Sequence, residues 1–143
     1  MKRIGLITIL LSLMLITSTA NAATSYSYDK YGNQTGSFRT NNGTTNTYDK
    51  YGNQTGSYRS SSGDKVTGYD KYGNQTGSIK FNSNGGIFYD KYGNQTGSFK
   101  INSSGTITSY DKYGNQTGTV RKNSNGTYTQ YDKYGNMLGT FKE

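Results

Sequence analysis

Two basic registers run through the chain at fixed intervals, and they are its most suggestive chemistry. A lysine follows each of six regularly spaced aspartates, at Lys30, Lys50, Lys71, Lys91, Lys112 and Lys133, and a second cation recurs nine residues later, at Arg39, Arg59, Lys80, Lys100, Arg121 and Lys142. If equivalent positions align, the second register becomes a line of cations at strand spacing, suited to anionic polysaccharide, envelope phosphate or nucleic acid. The plainer expectation is that charges on a solvated face keep a sheet from pairing edge to edge. Six tyrosines of the same segments, Tyr31, Tyr51, Tyr72, Tyr92, Tyr113 and Tyr134, have flat rings that stack on sugars or bases. Packing against one another is the simpler use for them.

Catalysis is constrained by what is missing. Histidine and cysteine are absent, and with them the usual general base, thiol nucleophile and soft metal ligands. The carboxylates are Asp29, Asp49, Asp70, Asp90, Asp111 and Asp132, each in the same local string, plus Asp64 and Glu143. Glycoside hydrolysis by paired carboxylates needs two groups in differing environments, and identical environments recur instead. Each repeated aspartate reads as a turn residue bonded to its own backbone. The expectation is a non-enzymatic protein with no catalytic residue, cofactor or metal.

The elements that must position these side chains are set by a repeat. Tyr-Asp-Lys-Tyr-Gly-Asn-Gln-Thr-Gly occurs five times verbatim, from Tyr28, Tyr48, Tyr69, Tyr89 and Tyr110, and a sixth copy from Tyr131 reads Met137-Leu138 in place of Gln-Thr. The starts lie 20 or 21 residues apart, the period of a small supersecondary unit that buries nothing without neighbours. The units are 28–47, 48–68, 69–88, 89–109, 110–130 and 131–143, preceded by a lead-in at 23–27. The altered last copy reads as a C-terminal cap on an array whose end has no next unit.

Residues 1–22 are another kind of chain. Lys2 and Arg3, the apolar run from Ile4 to Ile16 and the small residues Ala20-Asn21-Ala22 have the form of a signal peptide cleaved after Ala22. That run of about 13 residues is too short to cross a hydrocarbon core of roughly 30 Å as a helix, so no stable membrane span is expected once it is removed. Export leads to the periplasm, the cell surface or the medium. The lack of cysteine means no disulfide staples the mature chain there. Without Lys2 and Arg3, the net charge of +8 falls to about +6.

Leu, Ile, Val and Phe number only 12 beyond residue 22, a poor supply for a globular core. Fifteen tyrosines and the absence of proline favour ordered strands with aromatic faces. In one unit, Asp90-Lys91-Tyr92-Gly93 has turn chemistry, with glycine at the position of positive φ. Asn94 to Ile101 then forms a strand with Phe99 and Ile101 on one face and Ser98 and Lys100 on the other. A second corner ends in glycine in every unit but the last: Gly43, Gly63, Gly85, Gly105 and Gly126. Two strands per unit, about twelve in all, give an all-β tandem array of β-hairpins. The odd residue of the longer units must be absorbed, at the Ser/Asn-rich corner or by a bulge near Gly97. Either a solenoid or a bulged meander fits.

Tyr89-Asp90-Lys91-Tyr92-Gly93-Asn94, followed by Asn-Ser-Ser-Gly and the next Tyr110-Asp111, resembles the tyrosine-aspartate (YD) repeats of bacterial secreted and surface proteins. The spacing aromatic-Asp-x-x-Gly-x-x-x-Thr-Gly is also similar to choline-binding and glucan-binding cell-wall repeats, which are stacked β-hairpins that bind through aromatic cages. Both resemblances imply an exported bacterial β-repeat protein. The resulting expectation is a multivalent binder of an envelope or extracellular polyanion or glycan. The Gly, Asn, Gln, Ser, Thr and Tyr composition also resembles curlin-like amyloid subunits, whose polar and tyrosine ladders imply self-association into a structural matrix.

Overall fold

The computed structural model describes residues 23–61 and 64–142. Residues 1–22, where a signal peptide is expected, Ser62 and Gly63, where a glycine corner is expected, and Glu143 lie outside them. Twelve strands are described: β1 (Ala23–Asp29), β2 (Gln34–Asn41), β3 (Thr44–Asp49), β4 (Gln54–Ser60), β5 (Lys65–Asp70), β6 (Gln75–Asn82), β7 (Gly85–Asp90), β8 (Gln95–Ile101), β9 (Ile107–Asp111), β10 (Gln116–Lys122), β11 (Tyr128–Asp132) and β12 (Met137–Lys142). Each pairs antiparallel with its chain neighbours, and β1 pairs with β12, so the meander closes into a barrel.

The first corner of each unit forms as its residue types dictate. The Asp29 N–H donates to the Asn33 carbonyl at 2.9 Å and the Gly32 N–H to the Asp29 carbonyl at 3.1 Å, with Gly32 at φ +86°. This three-residue loop ending in left-handed glycine recurs from Asp49, Asp70, Asp90, Asp111 and Asp132. Because odd strands always run into even ones through this corner, all six lie at one end of the barrel.

The second corner differs between units, and that difference absorbs the odd residue. In the 20-residue unit 28–47, Asn41 pairs with Thr44 around Asn42-Gly43, whose φ values are +47° and +74°, a two-residue hairpin loop. In the 21-residue unit 89–109, Ile101 pairs with Ile107, and the Asn102 and Gly105 N–H groups donate to the Thr106 and Asn102 carbonyls at 3.0 Å each. The added residue therefore sits in a loop tip, where it turns no strand over. The expected glycine corner fails at Gly85, which is the first residue of β7 and pairs with Asn82.

Every unit also carries a bulge. Phe88 faces Gly97 and Tyr89 faces Gln95, which leaves Thr96 unopposed. The same shift occurs beside Gly36, Gly56, Gly77, Gly118 and Gly139. A Cβ built on Gly97 would lie 2.5 Å from the Tyr110 carbonyl oxygen, so the ninth residue of the string can carry no side chain.

Alternation then sorts the barrel. Phe38, Val66, Ile79, Phe88, Phe99, Ile107, Val120 and Phe141 are buried in one core cluster. Glycines make room for the larger rings: Phe99 lies against Gly86, and Tyr58 against Gly68. Burial pushes the Tyr58 phenol up to about 12. Inward hydroxyls pair with bulge threonines, as in Thr47 with Thr55 at 2.8 Å and Ser109 with Thr117 at 2.9 Å.

Closure corrects two expectations. An open solenoid is excluded, because β12 and β1 pair through Lys142–Tyr26, Phe141–Ser27, Thr140–Tyr28 and Gly139–Asp29. The lead-in 23–27 belongs to β1, so the altered last unit caps no free end. Among the described residues no helix is long and apolar enough to cross a membrane.

Candidate functional site

Two surfaces carry the repeated chemistry: the rim made by the Asp-Lys-Tyr-Gly-Asn corners and the outward wall of the strands. At the rim, Asp29 Oδ1 accepts the N–H groups of Tyr31 and Asn33 at 2.9 Å each, and Oδ2 accepts from Asn33 Nδ2 at 3.0 Å. Asp49, Asp70, Asp90, Asp111 and Asp132 repeat the pattern. These bonds, led by the asparagine side chain, hold the carboxyls of Asp29, Asp49, Asp70, Asp90 and Asp132 below the usual carboxylate value. Each aspartate is thus occupied in building its corner.

With the backbone tied down, the next two side chains of the corner project outward. Tyr31, Tyr51, Tyr72, Tyr92, Tyr113 and Tyr134 are 77–78% exposed. They do not pack against one another, as the plainer expectation had it; instead a lysine lies over each ring. Lys30, Lys50, Lys71, Lys112 and Lys133 Nζ are 4.9 Å, and Lys91 Nζ is 5.0 Å, from the ring centroid of the following tyrosine. Successive corners are two strands apart, roughly 9.5 Å around the rim.

The second cation register lies on the wall. Arg39, Arg59, Lys80, Lys100, Arg121 and Lys142 are all exposed and sit on alternate strands β2 to β12. They form a belt at two-strand spacing, not the line at strand spacing that directly stacked equivalent strands would give. Four are seated on the first tyrosine of the next unit: Arg39 on Tyr48 at 4.7 Å, Arg59 on Tyr69 at 4.8 Å, Arg121 on Tyr131 at 5.3 Å and Lys100 on Tyr110 at 5.8 Å. Sequence reasoning missed these platforms. The signal that could have found them is hairpin register: Ser37 faces Tyr48, which puts Arg39 diagonally beside the ring.

The wall also holds a groove of about 690 Å³, which lies over β7, β8 and β9. Compared with known proteins, the chain matches no family model, no curated protein and no solved structure. Its surfaces have to be read from their own chemistry.

Proposed function

We propose that this chain is an exported, non-catalytic binder of an anionic envelope or extracellular polymer, with acidic polysaccharide the class it fits best. The observation that carries this reading is where the charge sits. At each rim corner one aspartate and one lysine offset each other, so the surplus positive charge of the repeats is left on the wall belt. The six repeat carboxylates are engaged at the rim, away from those cations. A long anion laid against the belt would meet several individually weak contacts at regular intervals, and linked weak contacts add to useful affinity. Guanidinium groups seated on tyrosine faces keep their N–H edges for carboxylate, sulfate or phosphate oxygens. The exposed rim tyrosines offer flat faces to sugar rings of the same polymer.

The outward wall also favours work in water. Its strands are 5–8 residues long, against the roughly 9–11 that a membrane barrel strand needs, and they point Arg39, Asn46, Arg59, Thr67, Lys80, Lys100 and Thr108 outward where a lipid-facing band would be apolar. The resemblance to secreted surface repeats and the signal-like residues 1–22 support delivery to the periplasm, cell surface or medium. The matrix-subunit reading has less support, because β1 and β12 occupy each other's edges and leave no unpaired strand among the described residues for a fibre to extend.

The test is sedimentation of the processed chain with polygalacturonate over a salt series, beside a variant with all six belt cations changed to Gln. The expected result is monomeric protein whose log affinity falls steeply with log salt, and a loss of at least about 100-fold in the variant, at under 1 kcal/mol per exposed contact. Equal affinity and equal salt slope for both proteins would overturn the reading, as would thioflavin-positive fibres from dilute solution.

A further inference from the structure

The repeat is broken at one place on the wall. Next to the belt cation of the adjoining strand, β3 presents Thr44 facing Arg59 and β5 presents Lys65 facing Lys80, but β7 presents Gly85 facing Lys100. Backbone contact explains the glycine locally, since a Cβ there would collide with the Phe99 carbonyl oxygen. Its consequence is a gap on the β7 side of Lys100, whose other facing neighbour, on β9, is Thr108. The groove of about 690 Å³ opens at this point, bordered by Lys100, Thr108, Tyr110, Asn82 and Asn102, and its size is in the range of small-ligand sites.

Its lining mixes the apolar side chains of Ile87, Phe99 and Ile101 with polar ones, of which Asn82, Asn102 and Lys100 have donors to offer. Asn82 Oδ1 is taken by the Asn84 N–H at 3.1 Å. Asn102 Oδ1 accepts from Ser104 N at 3.0 Å, Ser104 Oγ at 2.7 Å and Thr106 N at 2.9 Å. What the two amides have left to offer is Nδ2. Lys100 adds a cation, and at 5.8 Å from the Tyr110 centroid it is the loosest of the four seated belt cations. Thr108, Ser98, Asn84 and the half-buried face of Tyr110 also line it.

We propose that this groove is a single subsite for one acidic sugar residue of the uronic type, with the ring on Tyr110, the carboxylate on Lys100 and sugar hydroxyl oxygens on the two asparagine amides. A neutral sugar would leave the cation unanswered, and a compact inorganic anion would leave the aromatic wall unused. The inference deepens the polyanion reading, since it names the chemical unit recognised and puts its specific contact on the wall over β7, β8 and β9 while the belt serves the polymer at large.

The experiment measures binding of a galacturonate tetramer, a maltotetraose and a dinucleotide to the processed chain by calorimetry. The variants are Thr108→Leu, which puts apolar bulk into the groove, Thr67→Leu at the equivalent wall position of β5, and Lys100→Gln. The expected result is binding of the acidic tetramer alone, weakened at least tenfold by Thr108→Leu and by Lys100→Gln and less than twofold by Thr67→Leu. Equal losses from Thr108→Leu and Thr67→Leu, equal binding of maltotetraose, or preference for the dinucleotide would each overturn it. Because long polygalacturonate reads the belt, its retention by Thr108→Leu separates failure of the groove from failure of the wider reading. Unchanged thermal midpoints for the three variants exclude misfolding as the cause of any loss.

Discussion

Asp29 faces Gly139 across the seam between the first and last strands, in the register that pairs Gly36 with Asp49, Gly56 with Asp70, Gly77 with Asp90, Gly97 with Asp111 and Gly118 with Asp132. The seam is therefore a sixth copy of the same interface. A Cβ on Gly139 would meet the Tyr28 carbonyl oxygen just as one on Gly97 would meet that of Tyr110. The ring is nearly symmetric, and the break in the chain falls at an arbitrary point of it.

Circular permutation should accordingly be tolerated. Lys100 and Thr108 bracket seven residues around a corner, whereas in a chain trimmed to 23–143 Lys142 and Tyr26 would bracket Glu143 and Ala23 to Ser25. A link of about three residues between Glu143 and Ala23, with new ends between Ser103 and Ser104, should give the same β dichroism and a melting midpoint within a few degrees of the parent, because only an exposed loop tip is opened. Deletion of residues 23–29 should instead leave one edge of β12 and one of β2 unpaired and the protein aggregating on size exclusion.

Gly97 and Gly93 should differ sharply in tolerance. Alanine at Gly93, φ +88° with open space around it, meets only backbone strain of about 1–2 kcal/mol. Alanine at Gly97 drives a methyl into a neighbouring carbonyl, and should cost at least about 2–3 kcal/mol in urea unfolding. The reverse order would contradict the assigned register.

The local grammar of these corners was legible in the chain: Asp and Gly at the turn, two strands per unit, a bulge beside the ninth residue, and Phe99 opposed in facing to Lys100. Closure was not. Nothing in a single unit says whether the last strand meets the first, since that depends on twist and tilt accumulated over all twelve. The belt was visible as a register of cations, but its seating on Tyr48, Tyr69, Tyr110 and Tyr131 needed cross-strand register. Gly85 looked like another corner glycine because it follows Ser83-Asn84, and only the strand pairing reveals it as wall.

Stability should fall in acid through the rim. The carboxyls of Asp29, Asp49, Asp70, Asp90 and Asp132 titrate lower folded than unfolded. Their contribution is therefore complete above the unfolded value of about 3.9 and disappears as pH drops through the folded one. Melting midpoints should be level above about pH 5 and decline below about pH 4. Changing Asn94 to Leu removes the largest cause at Asp90 and should make that decline shallower; an unchanged acid profile would show that the corner bonds do not set it.

Core truncation should be costly despite the small core. Phe99 is 1% exposed and touches Phe81 and Phe88 at centroid distances of 5.9 and 5.4 Å. Phe99→Ala should lose about 3–5 kcal/mol in urea unfolding. Phe81→Ala, at a half-buried site, should lose clearly less.

Everything said of the belt depends on the ring being closed by its own ends. Tyr28 and Thr140 are partners across that seam, and the chain has no native cysteine. Facing strand positions lie at Cα separations of about 4.5–5.5 Å, within the reach of a disulfide. The processed protein carrying Tyr28→Cys and Thr140→Cys, oxidised at low concentration and run unreduced beside its reduced form, should become a monomer with one internal bridge and a raised melting midpoint. Free thiols in the monomer, or bridges found only between molecules, would contradict the closed barrel.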